Sequence, residues 1–142
     1  METFEDGHWV YIEPLNSERY CATAAKMSDT AYVFGGYNLG GAPTDTIEQY
    51  ENYHWSLLEV KLPKPMVCVG AISIGPVFLI FGGNSNGGNE NIVYKWDLGN
   101  EWEMCKQFPM ATYFFMNQWI SDQNTIHGYD YRGNKLEYNI DI

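Results

Sequence analysis

The chain has 142 residues, of which 45% are hydrophobic, a composition typical of a folded domain rather than a disordered segment. Acidic residues outnumber basic residues by 18 to 8, and the net charge of -10 repels phosphate backbones and anionic lipid head groups. We therefore expect no nucleic-acid partner and no membrane partner. The opening METFEDGHW has no apolar stretch of signal-peptide length, which predicts a cytoplasmic location.

Short apolar or alternating segments follow one another along the chain with turn residues between them, and no long segment has helical periodicity. This pattern predicts an all-β fold. The predicted strands of the first unit are 20–26, 31–34, 46–50 and 55–60, and those of the second are 67–74, 77–81, 91–96 and 102–107. A third unit has predicted strands at 111–120, 124–128 and 135–140, and residues 8–14 align with the fourth strand of a unit.

Residues 66–83 contain no charged side chain over 18 positions, which approaches the ~20 apolar residues that span a bilayer. A Gly75-Pro76 pair interrupts this run, and Val, Ile and Phe are dense on both sides of it. These features indicate two buried strands joined by a turn, not a membrane span.

The chain repeats itself with a period of about 47 residues. YVFGG at 32–36 and LIFGG at 79–83 are 47 residues apart, and Trp9, Trp55 and Trp102 are spaced by 46 and 47 residues. Such a period is typical of architectures in which each repeat is one supersecondary unit. We expect each unit to be a four-stranded antiparallel sheet.

A double glycine that ends the second strand, a tyrosine in the third and a tryptophan that opens the fourth resemble the kelch repeat. The matching residues are Gly35, Gly36, Tyr50 and Trp55 in the first unit, and Gly82, Gly83, Tyr94 and Trp102 in the second. The resemblance implies a single domain, 1–142, of three four-stranded antiparallel blades of a kelch-type β-propeller, which is half of a six-bladed ring. The blades would be at about 15–60, 61–108 and 109–142, with 8–14 as a closing strand.

Physical reasons for these residues are independent of the family. Glycine permits a positive φ and a close backbone approach at a sharp strand exit, so Gly82→Val is expected to damage folding. The tyrosines and tryptophans have the area to fill the wedge between twisted sheets. The third unit departs from the pattern, because it has Ile-His-Gly at 126–128 where the others have Phe-Gly-Gly.

No arrangement of residues predicts catalysis, a cofactor or a metal site. His8 and His54 occupy equivalent repeat positions, so duplication explains them better than ligation, and His127 replaces an expected glycine. The chain has no nucleophile frame such as G-x-S-x-G. The glycine-rich run 84–91 lacks a following lysine and helix, so we interpret it as a polar loop and not as a phosphate-binding loop.

We predict a protein-protein interaction or scaffolding module, not an enzyme, that binds a peptide segment of a partner protein through the loops after the glycines. The predicted binding residues, which combine amide groups with rigid aromatic area, are Tyr37, Asn38, Asn84, Asn86, Tyr131 and Arg132. Two alternatives stay open: a structural subunit fixed in a larger assembly, and part of a propeller enzyme that resembles galactose oxidase-type oxidases or sugar mutarotases.

Cys21, Cys68 and Cys105 form an odd set without a CxxC pair, and we predict that they are free, buried thiols. Cys21 and Cys68 are one period apart. We expect equivalent positions on adjacent blades to be too far apart for a disulfide, which needs Cα atoms within ~7 Å.

Propellers have ~4 to 8 blades, so three blades would leave two apolar faces uncovered. We predict a homodimer in which two chains complete a six-bladed ring head to tail and exchange their closing strands. The alternatives are a hetero-assembly in which a partner chain supplies the missing blades, and a chain that is a fragment of a larger product.

Overall fold

The computed structural model describes residues 1–105, 107, 120–122, 125–129 and 132–139. Within this part of the chain every regular element is a β-strand, which confirms the all-β prediction. The described residues include no helix long and apolar enough to cross a membrane. Most of the predicted strand 111–120, and also Tyr131, lie outside the described residues.

The first eight strands are β1 (Glu2–Glu5), β2 (His8–Tyr11), β3 (Arg19–Tyr20), β4 (Thr23–Met27), β5 (Thr30–Phe34), β6 (Tyr37–Asn38), β7 (Ile47–Glu51) and β8 (His54–Leu57). The remaining described strands are β9 (Gly70–Ile74), β10 (Val77–Phe81), β11 (Asn84–Ser85), β12 (Gly88–Asn89), β13 (Val93–Trp96), β14 (Glu103–Met104), β15 (Ile120–Asp122), β16 (Thr125–Tyr129) and β17 (Lys135–Asn139).

Two four-stranded antiparallel sheets correspond to the first two predicted units. The first sheet has the order β4-β5-β7-β8, and the second has the order β9-β10-β13-β14. The third sheet has the order β15-β16-β17. Three strands were predicted for this unit, with 8–14 as its closing strand, and β16 and β17 correspond to the predicted strands 124–128 and 135–140. β15 overlaps the predicted strand 111–120 at residue 120, and the rest of that segment lies outside the described residues.

β1 and β2 form a separate antiparallel hairpin, which we call the N-terminal hairpin. The segment 8–14, predicted as a closing strand, thus has its strand residues paired with β1. The local reason is the turn, because Asp6 and Gly7 both have a positive φ, of 47° and 83°, as a two-residue hairpin turn requires. In this hairpin Trp9 lies opposite Phe4, just as Trp55 lies opposite Tyr50 between β7 and β8.

The pairing registers show which residues of the first two sheets are equivalent. Ala31 pairs with Tyr50, and Phe78, one period after Ala31, pairs with Trp96. Trp96 is therefore the equivalent of Tyr50, and the assignment of Tyr94 to this position is wrong. The connection between the second and third strands is one residue shorter in the second unit. The position equivalent to Tyr50 therefore falls at residue 96, and matching by residue type alone selected the wrong aromatic residue.

The equivalence of Trp55 and Trp102 agrees with the packing of their rings. Trp55 lies 5.0 Å from the ring of Tyr50, and Trp102 lies 5.3 Å from the ring of Trp96, centroid to centroid. Trp55 is 4% exposed, and its indole Nε1 donates a hydrogen bond to the carbonyl oxygen of Glu13 at 3.1 Å. Each ring pair joins the third strand of its sheet to the residues of the fourth strand, which agrees with the structural role predicted for these aromatics.

The hydrophobic core lies on both faces of the second sheet. Phe78 and Ile80 pack toward the first sheet, whereas Leu79 and Phe81 pack toward the third sheet. Because successive side chains of a strand point to opposite faces, a strand covered on both sides is apolar throughout, which explains the run VFLIF of β10.

The glycine pairs form the strand exits that the sequence predicted. Gly35 and Gly36 have φ values of 58° and 96°, and Gly82 and Gly83 have values of 63° and 82°. A Cβ atom on Gly36 would lie 2.8 Å from the carbonyl oxygen of Tyr20. The chain can therefore leave β5 and β10 at these angles and distances only with residues that lack a side chain.

A buried ion pair joins the start of the first unit to its third strand. Arg19 Nη2 lies 2.6 Å from Glu48 Oε1, and the two side chains are 1% and 0% exposed. Arg19 Nη1 also donates to the carbonyl oxygens of Gly35 and Thr46, both at 3.1 Å. The guanidinium group thus ties the glycine exit to β7.

Candidate binding surface

The loops after the two glycine pairs leave the same end of their sheets, because they connect the second strand to the third in both units. In the first loop, Thr44 N donates to the carbonyl oxygen of Gly36 at 2.8 Å, and Gly35 N donates to that of Thr46 at 3.0 Å. These bonds close the base of the loop, so residues 37–43 begin and end at backbone positions that are held by hydrogen bonds.

Tyr37, a predicted binding residue, lies at the start of the first loop. Its strand β6 pairs with β3, in which Tyr20 is the direct partner of Tyr37. The two rings stack with centroids 5.0 Å apart, and Tyr20 is 51% exposed. Leu39, at the tip of the same loop, is 77% exposed. Together they form an apolar and aromatic patch.

Asn38 has a structural task in this loop. Its side-chain Oδ1 accepts a hydrogen bond from Ala42 N at 3.0 Å, and its backbone N donates to the carbonyl oxygen of Ala42 at 2.9 Å. The acceptor oxygen of the side chain is therefore used to hold the turn. The structure places Asn38 beside the patch, where it shapes the loop that presents Leu39.

The second loop is a small hairpin formed by β11 and β12. Asn84, a predicted binding residue, is half-buried, and its Nδ2 donates to Asn89 Oδ1 across the hairpin at 3.1 Å. Asn86, also predicted, is exposed at the tip. An isolated bridge joins Asn84 to Val67, which is the pairing that Tyr37 makes with Tyr20 one period earlier.

One backbone hydrogen bond connects these two equivalent pairings. Cys68 N donates to the carbonyl oxygen of Cys21 at 2.9 Å, so the residues that follow Tyr20 and Val67 are adjacent. A continuous row of contacts then runs across the two units. Val67, which is 2% exposed, is a buried link in this row. We call the other members the binding strip, and they are in order Tyr37, Tyr20, Cys21, Cys68 and Asn84.

The cysteines differ from two of the expectations. All three are free thiols, but Cys21 is exposed and the other two are only partly buried, so the prediction of three buried thiols is wrong. The expectation that Cys21 and Cys68 are far apart is also wrong, because the segments before β4 and β9 converge where the two units meet. Sequence spacing identified the equivalence of the two residues and not their contact.

Of the two binding residues predicted in the third unit, the structure describes Arg132. Arg132 is exposed in the connection between β16 and β17. The third sheet packs on the face of the second sheet that is opposite to the first sheet. Arg132 therefore belongs to the next unit along, while Tyr131 lies outside the described residues.

An ion pair joins the second loop to the segment that precedes β9. Lys64 Nζ lies 2.7 Å from Glu90 Oε1, which also accepts a hydrogen bond from Ser85 Oγ at 2.5 Å. Burial by itself raises the pKa of the Glu90 carboxyl, but the hydrogen bonds from Lys64 and Ser85 and the charge of Lys64 outweigh it and hold the pKa below the ordinary value. This carboxylate therefore fastens the linker before β9 to the loop.

The residues considered for other chemistry are dispersed. His54 Nδ1 lies 2.8 Å from Glu13 Oε2, and His127 Nδ1 lies 3.4 Å from Glu137 Oε1, in different sheets. In the part of the chain that the structure describes, no group of three or more His, Cys, Asp or Glu side chains is arranged to hold a metal ion. Glu103, on β14, pairs with Lys95 at 3.0 Å.

A groove of about 760 Å³ borders this last pair, and its walls include Trp102 and the turn 97–101. Trp102 Nε1 is buried without a hydrogen-bond partner among the described residues. Lys95 and Glu103 form an ion pair, and the carboxylates of Asp97 and Glu101 also line the groove, which is therefore acidic. The groove presents carboxylates and one indole donor, whereas the binding strip presents aromatic, thiol and amide groups together.

Sequence reasoning missed Tyr20, Leu39 and the Cys21–Cys68 contact. The signal for Tyr20 was present, because Tyr20-Cys21 and Val67-Cys68 are 47 residues apart and mark the same place in two units. No signal in the sequence identified Leu39. No protein-family model and no curated protein matches the chain.

Proposed function

We propose that this protein is a binding module made of kelch-type propeller blades, and that its binding strip holds an extended peptide segment of a partner protein. The observation that carries the proposal is the stacked Tyr20–Tyr37 pair beside the exposed Leu39, on a loop whose base is closed by backbone hydrogen bonds. Rigid aromatic groups lose little conformational entropy on binding and are frequent among the residues that dominate interface energies.

The charge of the chain favours one class of partner segment. With a net charge of -10, the protein attracts basic segments and slows the approach of acidic ones. The amide groups of Asn84 and Asn86 offer both donors and acceptors to a peptide backbone. We therefore propose a basic, extended segment as the ligand, with an association rate that falls as ionic strength rises.

A peptide-display selection on the wild-type protein tests this function. Affinities of the selected peptides are then measured for wild type, for the double variant Tyr20→Ala/Tyr37→Ala and for the control Tyr53→Ala. Tyr53 is 74% exposed in the turn between β7 and β8, at the opposite end of the first sheet from the binding strip. We expect the double variant to lose about 30-fold or more in affinity, which corresponds to ~2 kcal/mol, and the control to lose almost nothing.

Two outcomes would contradict the function. If peptides bind the double variant as tightly as wild type, the binding site lies elsewhere. If the selection yields no basic peptides, the proposal that the ligand is a basic segment is wrong. The melting temperature of the double variant is measured in parallel. A large decrease in that temperature would show that Tyr20 and Tyr37 act as core residues and not as surface residues.

We propose in addition that a second copy of the chain covers the N-terminal hairpin. Phe4, Trp9 and Tyr11 of this hairpin are 59%, 67% and 81% exposed, whereas Trp55, the equivalent of Trp9, is 4% exposed. Light scattering of the 16.3 kDa chain is expected to show a dimer, and Trp9→Ser is expected to shift it toward monomer. A folded wild-type monomer at micromolar concentration would exclude the homodimer, and a monomer that assembles only with another protein would support the hetero-assembly.

A further inference from the structure

Cys21 and Cys68 have the same unusual backbone conformation. Both residues have a φ of 52°, in the left-handed region that side chains other than glycine, asparagine and aspartate seldom adopt. Each stands two residues before the long first strand of its sheet, β4 or β9. The two cysteines therefore have the same backbone geometry at equivalent positions of adjacent units.

The distance between the two residues suits a disulfide bond. The hydrogen bond of 2.9 Å from Cys68 N to the carbonyl oxygen of Cys21 places their Cα atoms next to each other. A backbone hydrogen bond of this kind corresponds to a Cα separation of ~5–6 Å, and disulfides span ~4.4–6.8 Å. In addition to burial, the Cys21 thiol contributes, through hydrogen bonding and charge, to the raised pKa of the Cys68 thiol, which agrees with two neighbouring side chains.

We propose that Cys21 and Cys68 form a dithiol pair that a hydroperoxide oxidises to a disulfide between the first and second units. Cys21 is exposed and receives the oxidant, whereas Cys68 lies behind it, partly buried. Cys21 and Cys68 are members of the binding strip, but the proposal does not depend on peptide binding, because it concerns only the chemistry of the two sulfur atoms.

The reaction has two steps. The Cys21 thiolate attacks one peroxide oxygen, the O–O bond breaks, and a sulfenic acid forms, while the released hydroxide takes up the proton that Cys21 lost on ionisation and leaves as water. Cys68 then attacks the Cys21 sulfur, the S–S bond forms as the S–O bond breaks, and a second water leaves with the proton of Cys68. Each sulfur is oxidised by one electron, and one molecule of hydrogen peroxide is reduced to two of water.

The environment of Cys68 determines the rate of the second step. Burial and the contact with Cys21 raise the pKa of the Cys68 thiol to about 12. Because the thiolate is the attacking species, we expect disulfide formation to be slow at neutral pH and to accelerate as the pH rises.

Thiol counting on the purified full chain tests the proposal. The reduced protein is treated with hydrogen peroxide, denatured without reductant and titrated with a chromogenic thiol reagent. The count is expected to fall from three to one per chain in wild type, and from two to none in Cys105→Ser. Digestion without reductant, followed by mass spectrometry, is expected to link the peptides that contain Cys21 and Cys68.

Two further measurements separate the disulfide from other products. Oxidised Cys105→Ser is expected to melt roughly 5–15 °C above its reduced form, and dithiothreitol should reverse the shift. In Cys68→Ser, dimedone should trap a sulfenic acid at Cys21. Retention of all wild-type thiols after exposure to peroxide at alkaline pH, or a cross-link that joins two chains or uses Cys105, would overturn the proposal.

Discussion

Glu48→Gln removes one negative charge from the interior of the first sheet with almost no change in side-chain volume. The carboxylate is fully buried and accepts four hydrogen bonds. Oε1 accepts from Arg19 Nη2 at 2.6 Å and from Ser17 N at 3.1 Å. Oε2 accepts from the backbone N and the side-chain Nδ2 of Asn16, at 2.7 Å and 3.1 Å. The amide nitrogen of glutamine would face two donors whichever way it turns.

The expected loss follows from the charge that remains. Arg19, with its side chain 1% exposed, would keep a buried positive charge without a counter-ion. Removal of one partner of a buried ion pair costs about 3–5 kcal/mol, which is a large part of the ~5–15 kcal/mol that stabilises a typical domain. For a chain of this length that corresponds to a decrease in melting temperature of about 10–15 °C.

Urea unfolding at neutral pH measures this loss as a change in the midpoint at constant m value. Asp45→Asn is the matched control, since Lys61 Nζ lies 3.7 Å from Asp45 Oδ1 and the two side chains are 59% and 33% exposed. That partly exposed pair is expected to contribute less than ~1 kcal/mol. A loss below ~1 kcal/mol for Glu48→Gln would refute the reasoning about the buried charge.

The second unit provides an independent comparison. Arg19 and Met66 occupy equivalent positions, and so do Glu48 and Tyr94, by the strand registers. Apolar replacement of a whole buried ion pair is often neutral or stabilising, because no charge stays behind. We therefore expect Arg19→Met/Glu48→Tyr to be more stable than Glu48→Gln. A double variant that is less stable than the single one would contradict this.

Two further predictions concern the glycine exit and the acid response. Gly83→Ala is expected to destabilise the protein by roughly 2–4 kcal/mol in urea unfolding, because φ is 82° and the new Cβ would lie 2.7 Å from the carbonyl oxygen of Val67. Gly75→Ala, with nothing within 4 Å, should cost only ~1–2 kcal/mol, and equal losses would contradict the close approach. The pKa of Glu90 is lower in the folded state than its ordinary value of 4.5, so its contribution to stability is present above pH 4.5 and disappears as the pH falls through the folded value. Lys64→Met should therefore lose less stability than wild type on acidification below pH 4.5, and an unchanged acid response would exclude this linkage.

Local features of the fold could be predicted from the sequence. The apolar run VFLIF predicted a strand buried on both faces, and each Phe-Gly-Gly predicted an exit with a positive φ. These features depend on neighbouring residues, since strand alternation and the conformational freedom of glycine act within a few positions. The same reasoning placed Tyr37 and Asn84 correctly on loops at equivalent positions.

The tertiary structure decided the contacts between distant segments. Glu48 lies within an alternating strand and would be expected to face solvent, but Arg19, 29 residues away, makes its burial possible. Residue type matched Tyr94 with Tyr50, whereas the strand register matches Trp96. The Tyr20–Tyr37 stack and the Cys21–Cys68 contact arise because antiparallel pairing and the packing of adjacent units bring together residues that are 17 and 47 positions apart. Periodicity encodes which positions are equivalent, but only the stacking of the sheets determines which of them touch.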